Sequence, residues 1–416
     1  MPTRSPLPGL WWSLSTVALF AATFPVWRPD NDSLLPRIPL FEWGFWIPQW
    51  LEWVSLAGGG AGTVFVAVLV HQNKRVAAGV LLWTLSTGLL VVADQLRFQP
   101  WWIHLTVAGV ILACASPRRI PKLWTLFLVG MYGWSAWSKW DSSFFVTHGR
   151  ELVSGLMRSV GLKQRLSPEL LSWGAVLLPL GESVVAGLLL LSRTRRFALF
   201  AAVGMHLLLG LALGPTGLNH SRGVVVWNAV CIVQLVVLIV LLNLSTTTAE
   251  ASSSQVPSSR GDAFAASVLG LVMLFPLLEP RGWCDPWWAW ELYASRPARA
   301  DLFVARSLRS DSPSEIRRYI EPEVPGREWR RVRIDKWALE ELSVPVAPGP
   351  RVQLAIAAAI CDRNRWEGEC RVDVADAADR LTGKRTSRTI IGIDAIKNEL
   401  ENFRLNVEPR DRQPGG

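Results

Sequence analysis

Metal-binding patterns are missing from this chain. Five cysteines and five histidines are spread over 416 residues, with no CxxC pair and no Cys/His cluster at metal-ligand spacing. Zinc sites of the common structural kinds are thereby excluded. Charged residues are scarce as well, at 19% against 50% hydrophobic. The formal net charge of +9 would suit a nucleic-acid binder, but its distribution does not. Residues 281–416 hold 24 Lys/Arg and 22 Asp/Glu, so most of the surplus lies in short clusters between apolar runs. Topology signals are arranged in this way, and surfaces that track phosphates are not. Paired broken helices and an inverted repeat are also absent, which weighs against a secondary transporter.

What is present is apolar and rich in tryptophan. Nine runs, at about 9–27, 53–70, 76–93, 98–115, 121–137, 169–192, 195–213, 223–243 and 263–280, have the length of bilayer-crossing helices. Many of the 23 tryptophans, among them Trp11, Trp50, Trp53, Trp101, Trp124 and Trp137, fall near the ends of these runs. An indole is favoured at headgroup level, where its ring is apolar and its N–H wet. Arg4, Lys74/Arg75, Arg118/Arg119/Lys122 and Arg193/Arg195/Arg196 recur on alternate sides of successive runs, so they share one side, the cytoplasmic one. The expected fold is an α-helical polytopic membrane protein of about nine transmembrane helices with a small C-terminal α/β extracytoplasmic domain. Its expected setting is a bacterial-type inner membrane, with the N-terminus inside.

The expected organisation is a polytopic membrane domain over 1–243, a polar linker over 244–262, a last span over 263–280 and the α/β domain over 281–416. Residues 138–168 mix apolar and basic residues at near-helical spacing, as an interfacial or re-entrant amphipathic helix does. In the C-terminal part, "DLFVAR" and "CRVDV" read as strands. "SEIRRYI", "PRVQLAIAAAICDRN" and "IDAIKNELENF" read as helices, and the tail "EPRDRQPGG" as disordered. Cys114 and Cys231 lie in apolar runs and read as packing residues. Cys361 ends a predicted helix and Cys370 opens a predicted strand, and outside the cytoplasm such a pair is expected to form a disulfide, with Cys284 left unpaired.

Ionisable residues inside apolar runs mark candidate sites. Glu182 and His206 lie about equally far from the inner ends of two spans joined by a tight basic turn, so a Glu182–His206 pair is expected near the membrane middle. Tyr132 and Gln234 reach similar depth, and Asn228 lies nearer the outside. One carboxylate and one imidazole are too few for a metal site, and none is expected. The polar layer either lines a cavity or holds helices in register by hydrogen bonds. Tyr132, Ser135 and Lys139 follow at i, i+3 and i+7 on one helix face, in the stretch "WSAWSKWDSSFF", where Lys139 and Asp141 form an adjacent cation and anion. Lys139 is either an interfacial anchor at a helix end or a base.

The segment "MYGWSAWSKWDSSFF", followed by the Glu182 and His206 spans, resembles the membrane domain of vitamin K-dependent carboxylase-like (HTTM) proteins and the broader DoxX/MauE-like group, over about residues 75–243. The most specific piece is "SAWSKWD". The resemblance implies that Lys139 stands where that family's lysine deprotonates a reduced quinone. It also implies a quinone as cofactor and a quinone- or lipid-facing enzyme or redox-associated protein. The alternative is a non-catalytic membrane scaffold whose C-terminal domain binds a protein partner. Membrane lipids are expected partners in both, and nucleic acid in neither.

Overall fold

The computed structural model describes residues 5–30, 33–162, 166–249, 259–309 and 313–410. The chain begins with α1 (Leu7–Ala22) and a short α2 (Phe24–Trp27), then α3 (Gln49–His71), α4 (Ala77–Ala93), α5 (Pro100–Cys114) and α6 (Ile120–Lys139). Two short helices follow, α7 (Ser142–Val146) and α8 (His148–Ser159). The long helices resume with α9 (Pro168–Leu190), α10 (Arg195–Leu213), α11 (Arg222–Ala249) and α12 (Arg260–Leu274). Several starts are written in the sequence. Proline occupies the first turn of α5, α6 and α9, where its missing N–H costs nothing. Ser259 and Asp262 form a reciprocal capping box at the start of α12.

Five helical segments are long and apolar enough to cross a membrane: Gln49–His71, Pro168–Leu190, Arg195–Leu213, Arg222–Leu244 and Arg260–Arg281. α1, α4 and α5 are apolar but shorter, and α6, which carries Tyr132, Ser135 and Lys139, is the most polar of the long helices in its second half. Consecutive helices pack as neighbours, α3 on α4 and α10 on α11, while α6 lies on α9. α3 and α4 approach closely at Gly62 and Gly79. A Cβ on Gly62 would lie 2.9 Å from the Gly79 carbonyl oxygen and 2.7 Å from the Trp83 nitrogen, so the "GGGAG" run serves close helix packing. The amphipathic segment expected within 138–168 is α8.

The linker expected over 244–262 overlaps helix at both its ends. α11 runs on to Ala249 and α12 starts at Arg260, and residues 250–258 lie outside the described residues.

Beyond α12 the chain forms β1 (Arg299–Ala305), α13 (Ser314–Arg317), β2 (Trp329–Arg331), α14 (Ile334–Leu342), α15 (Pro350–Arg363), β3 (Cys370–Ala375), β4 (Ser387–Ile391) and α16 (Ile393–Leu400). The sheet is antiparallel in the order β2–β1–β3–β4. Alternation puts Leu302, Val304, Val372 and Val374 inward, against the alanine-rich α15, whose residues from Leu354 to Cys361 are all buried. This part sits on one end of the helical bundle. Arg351 binds Gln95 and Asp285, Gln99 Nε2 donates to the Pro345 carbonyl at 3.2 Å, and Arg380 Nη1 donates to the Trp137 carbonyl at 2.8 Å.

Two sequence expectations fail here. The tail is not free as far as Arg410: Arg410 Nη1 reaches Glu52 Oε1 at 2.6 Å, and Asn406 Nδ2 donates to the Pro39 carbonyl at 2.9 Å. Residues 411–416 lie outside the described residues. The Cys361–Cys370 disulfide is also not formed, and both residues are free thiols. The turn does bring them together, but as a hydrogen-bonded pair: Cys361 donates to the Cys370 sulfur, and Cys370 donates onward to the Trp366 carbonyl at 3.2 Å.

Candidate functional site

Lys139 is the last residue of α6, and its side chain does not snorkel outward. It folds back along its own helix, 4% exposed, and its ammonium donates to Ser135 Oγ at 2.6 Å. The same nitrogen meets both oxygens of Glu182 on α9, at 2.8 and 2.9 Å. Ser135 completes the group, its hydroxyl 3.3 Å from Glu182 Oε1. Position at a helix C-terminus favours the cation, and the buried carboxylate needs a cation to remain charged away from water.

Asp141 is not the partner of Lys139. It is the N-cap of α7, its Oδ1 accepting from the Phe144 N–H at 3.0 Å and from the Ser143 hydroxyl. The sequence neighbours part because the chain leaves helical geometry at Trp140, directing Lys139 inward and Asp141 into the next helix start.

A second polar group lies deeper along the same face of α6. Tyr132 Oη is 2.9 Å from His206 Nε2, and His206 Nδ1 is 2.9 Å from Asn228 Oδ1. Asn228 Nδ2 donates to the Val224 carbonyl at 3.0 Å, which fixes its oxygen toward the imidazole. His206 must therefore donate from Nδ1 and accept at Nε2, so the Tyr132 hydroxyl donates to it. The expected Glu182–His206 pair is thus replaced by two sets: Glu182 with Lys139 and Ser135, and His206 with Tyr132 and Asn228. Equal depth did bring both residues to one cavity, but helix rotation turned their polar ends to different partners.

That cavity has a volume of about 540 Å³, within the range of small-molecule sites of roughly 300–1,000 Å³. Lys139, Glu182, Ser135, Tyr132, His206 and Asn228 all line it, and the remaining wall is nearly all apolar, drawn from α6, α8, α9, α10 and α11. α8 accounts for the space. Its Gly149 abuts Ala175 of α9, and its Gly155 abuts the Ala212 carbonyl of α10, so α8 spans the gap between those helices at one end. At the other end they rejoin through the turn at Leu191–Thr194. Leu292 and Tyr293, from the segment after α12, close the cavity beside α8.

Gln234 belongs elsewhere. Its Oε1 is 2.8 Å from His104 Nε2, while the Trp227 indole donates to His104 Nδ1 at 3.0 Å. This cluster of α5 and α11 is sealed from water, with His104 fully buried. Sequence reasoning passed over His104 because its span reads as uniformly apolar. The signal was available, since a histidine five residues into an apolar helix is as costly as His206. The Trp227 ring faces the cavity while its N–H serves this second cluster. No family model, curated protein or solved structure matches the chain.

Proposed function

We propose that this chain is a multi-pass inner-membrane protein whose cavity binds a membrane-dissolved quinone or related lipid, with Lys139 as its base or anchor. The observation that carries the reading is the buried Lys139–Glu182–Ser135 group on the wall of an otherwise apolar cavity of about 540 Å³. An ion pair placed only for packing has no need of an adjoining void. The nine crossings are α1, α3 to α6 and α9 to α12. The basic clusters then lie in the cytoplasm, and residues 281–416 lie outside. The likeness of "SAWSKWD" to carboxylase-like membrane proteins supports the same assignment.

The donor set fits a quinone: apolar walls for its chain, and separate groups that donate and accept hydrogen bonds for its oxygens. Such a molecule would supply two-electron redox chemistry. The residues of this chain hold and move protons around it. Lys139 releases a proton from Nζ to the Glu182 carboxylate, and the free amine then takes a proton from an acidic hydroxyl beside it. Tyr132 presents an oxygen whose proton is held by His206 Nε2, and Asn228 keeps that imidazole in one tautomer.

The test is organic extraction of the purified protein, with mass spectrometry of what it carries. A quinone or prenyl lipid is expected at near-stoichiometric level and should be lost in Lys139→Met. Bulk phospholipid alone in both proteins would defeat the reading. A fluorescent reporter active only in the cytoplasm, fused after residue 400, is expected to stay dark. Bright signal there would place residues 281–416 inside.

A further inference from the structure

We propose that the ligand enters this cavity sideways from the bilayer, through a gap between α9 and α10, and that it is a neutral amphiphile. The inference rests on the reading of the cavity as a binding site, and adds the route and the charge class.

Three observations carry the route. Leu177 on α9 and Leu208 on α10 line the cavity, yet are 65% and 51% exposed on the outer face of the bundle. A wall residue that is also an outside residue marks an opening. Second, Gly181 and Gly204 line the cavity from the same two helices, and a Cβ on either would meet no atom within 4 Å. Gly62 admits close packing, whereas these two, like Gly60, Gly88, Gly133, Gly187, Gly210 and Gly270, border open space, and they do so on the cavity wall. Third, the opening faces hydrocarbon and not water. α9 and α10 are both long and apolar enough to cross a membrane. The opposite approach, from the side of the C-terminal part, is covered by α8 and by Leu292 and Tyr293, the tyrosine packed edge-on against His220 at 5.7 Å between ring centroids.

The charge class follows from the polar groups. Lys139 and Glu182 cancel one another. His206 accepts at Nε2 and donates at Nδ1, so it is uncharged, and Tyr132, Ser135 and Asn228 are neutral. No cation is left to hold an anionic headgroup, and no anion to hold a cationic one. Taking an ionic head into this cavity would strand it without a counter-charge. A neutral head that exchanges hydrogen bonds is what the groups can satisfy.

The test uses the full-length protein in lipid nanodiscs with two photoreactive probes, a diazirine-bearing fatty alcohol and the matching fatty acid, and maps adducts by peptide mass spectrometry. The alcohol is expected to label the Tyr132–Ser135 peptide at least fivefold more than the acid at pH 7. Gly204→Trp is expected to cut that cavity labelling at least fivefold while leaving adducts on the outer face of α9 unchanged. Gly181→Leu serves as a second plug should the first variant be lost to misfolding. Cavity labelling that ignores both plugs, but rises in Tyr293→Ala, would overturn the lateral route and leave the binding site standing. Equal labelling by alcohol and acid would overturn the neutral class. Absence of cavity labelling by either probe would overturn the binding site itself, and the portal with it.

Discussion

Lys139 Nζ and Glu182 lie in bidentate contact, 2.8 and 2.9 Å apart, across α6 and α9, with both side chains at least nine-tenths buried. Removing one partner leaves the other as an uncompensated charge, at a cost of about 3–5 kcal/mol. Lys139→Met and Glu182→Leu should each destabilise the protein by about that amount. The double variant should recover most of the loss, since two apolar side chains need no counter-charge. Unfolding in detergent, run as a double-mutant cycle, reads the coupling. Strict additivity would mean that the contact carries no energy.

The Tyr132–His206–Asn228 chain makes a separate prediction. Tyr132→Phe strands the Nε2 acceptor of His206, at a cost of about 1 kcal/mol. Asn228→Leu strands the Nδ1 donor, which frees the imidazole to change tautomer. Nitrogen NMR of labelled histidine should find His206 with its proton on Nδ1 in the native protein. A proton on Nε2 would reverse the donor order and remove Tyr132 as donor to His206.

The sequence could be read for depth but not for rotation. Glu182 and His206 were located in one layer because distance along a helix converts directly to height. Which way each side chain turns depends on packing among helices far apart in the chain, so Glu182 found Lys139 and His206 found Tyr132. Lys139 and Asp141 looked paired because they are adjacent, although an aspartate followed by Ser-Ser-Phe is also a helix N-cap, and that local rule prevailed. β1, β3, α13, α15 and α16 were legible from alternation, helical spacing and proline placement, whereas β2, α14 and β4 were not read. A cavity was one of two readings of the polar layer, and the choice between them rests on α8 spanning the gap between α9 and α10, a tertiary fact with no local pattern.

Glu291 supplies a pH dependence. It lies beyond the last span, 4% exposed, facing Glu279, Arg296 and, more distantly, Arg380. Burial, reinforced by Glu279, pushes its carboxyl from the ordinary 4.5 up to about 7, against the pull of Arg296 and Arg380. Between these values the folded protein keeps a proton that the unfolded chain has released. The contribution is full below about pH 4.5 and is lost as pH rises through about 7. A shift of this size corresponds to something on the order of 3 kcal/mol. Glu291→Gln should flatten the stability profile over that window and be the more stable protein above it. Parallel profiles for the two proteins would place the carboxyl in its ordinary range.

Cys361 and Cys370 are poised for oxidation. The hydrogen bond that Cys361 donates pulls the Cys370 thiol below its ordinary range and pushes the Cys361 thiol well up. Cys370 is thus the sulfur that an added two-electron oxidant such as diamide engages first, and Cys361 then displaces the reduced oxidant from it to close the S–S bond. Mild oxidation of the folded protein should remove two hydrogens and shield these two residues from later alkylation, leaving Cys114, Cys231 and Cys284 alkylatable after denaturation. Alkylation of all five thiols after that treatment would show that the sulfurs do not meet.

The contact between Arg410 and Glu52 joins residues 358 positions apart, and the order of synthesis gives it a meaning. Glu52 opens α3 and leaves the ribosome early, while Arg410 is made after every helix and strand described above. Glu52 Oε2 has Arg97 at 2.6 Å and Arg37 at 3.7 Å, and Arg410 supplies the guanidinium at its Oε1. Glu52 is therefore paired by a residue that follows every helix and strand described above. A chain cut short before residue 410 would carry its defect far away in sequence, in the first turn of α3, where Glu52 Oε1 would lose its guanidinium partner.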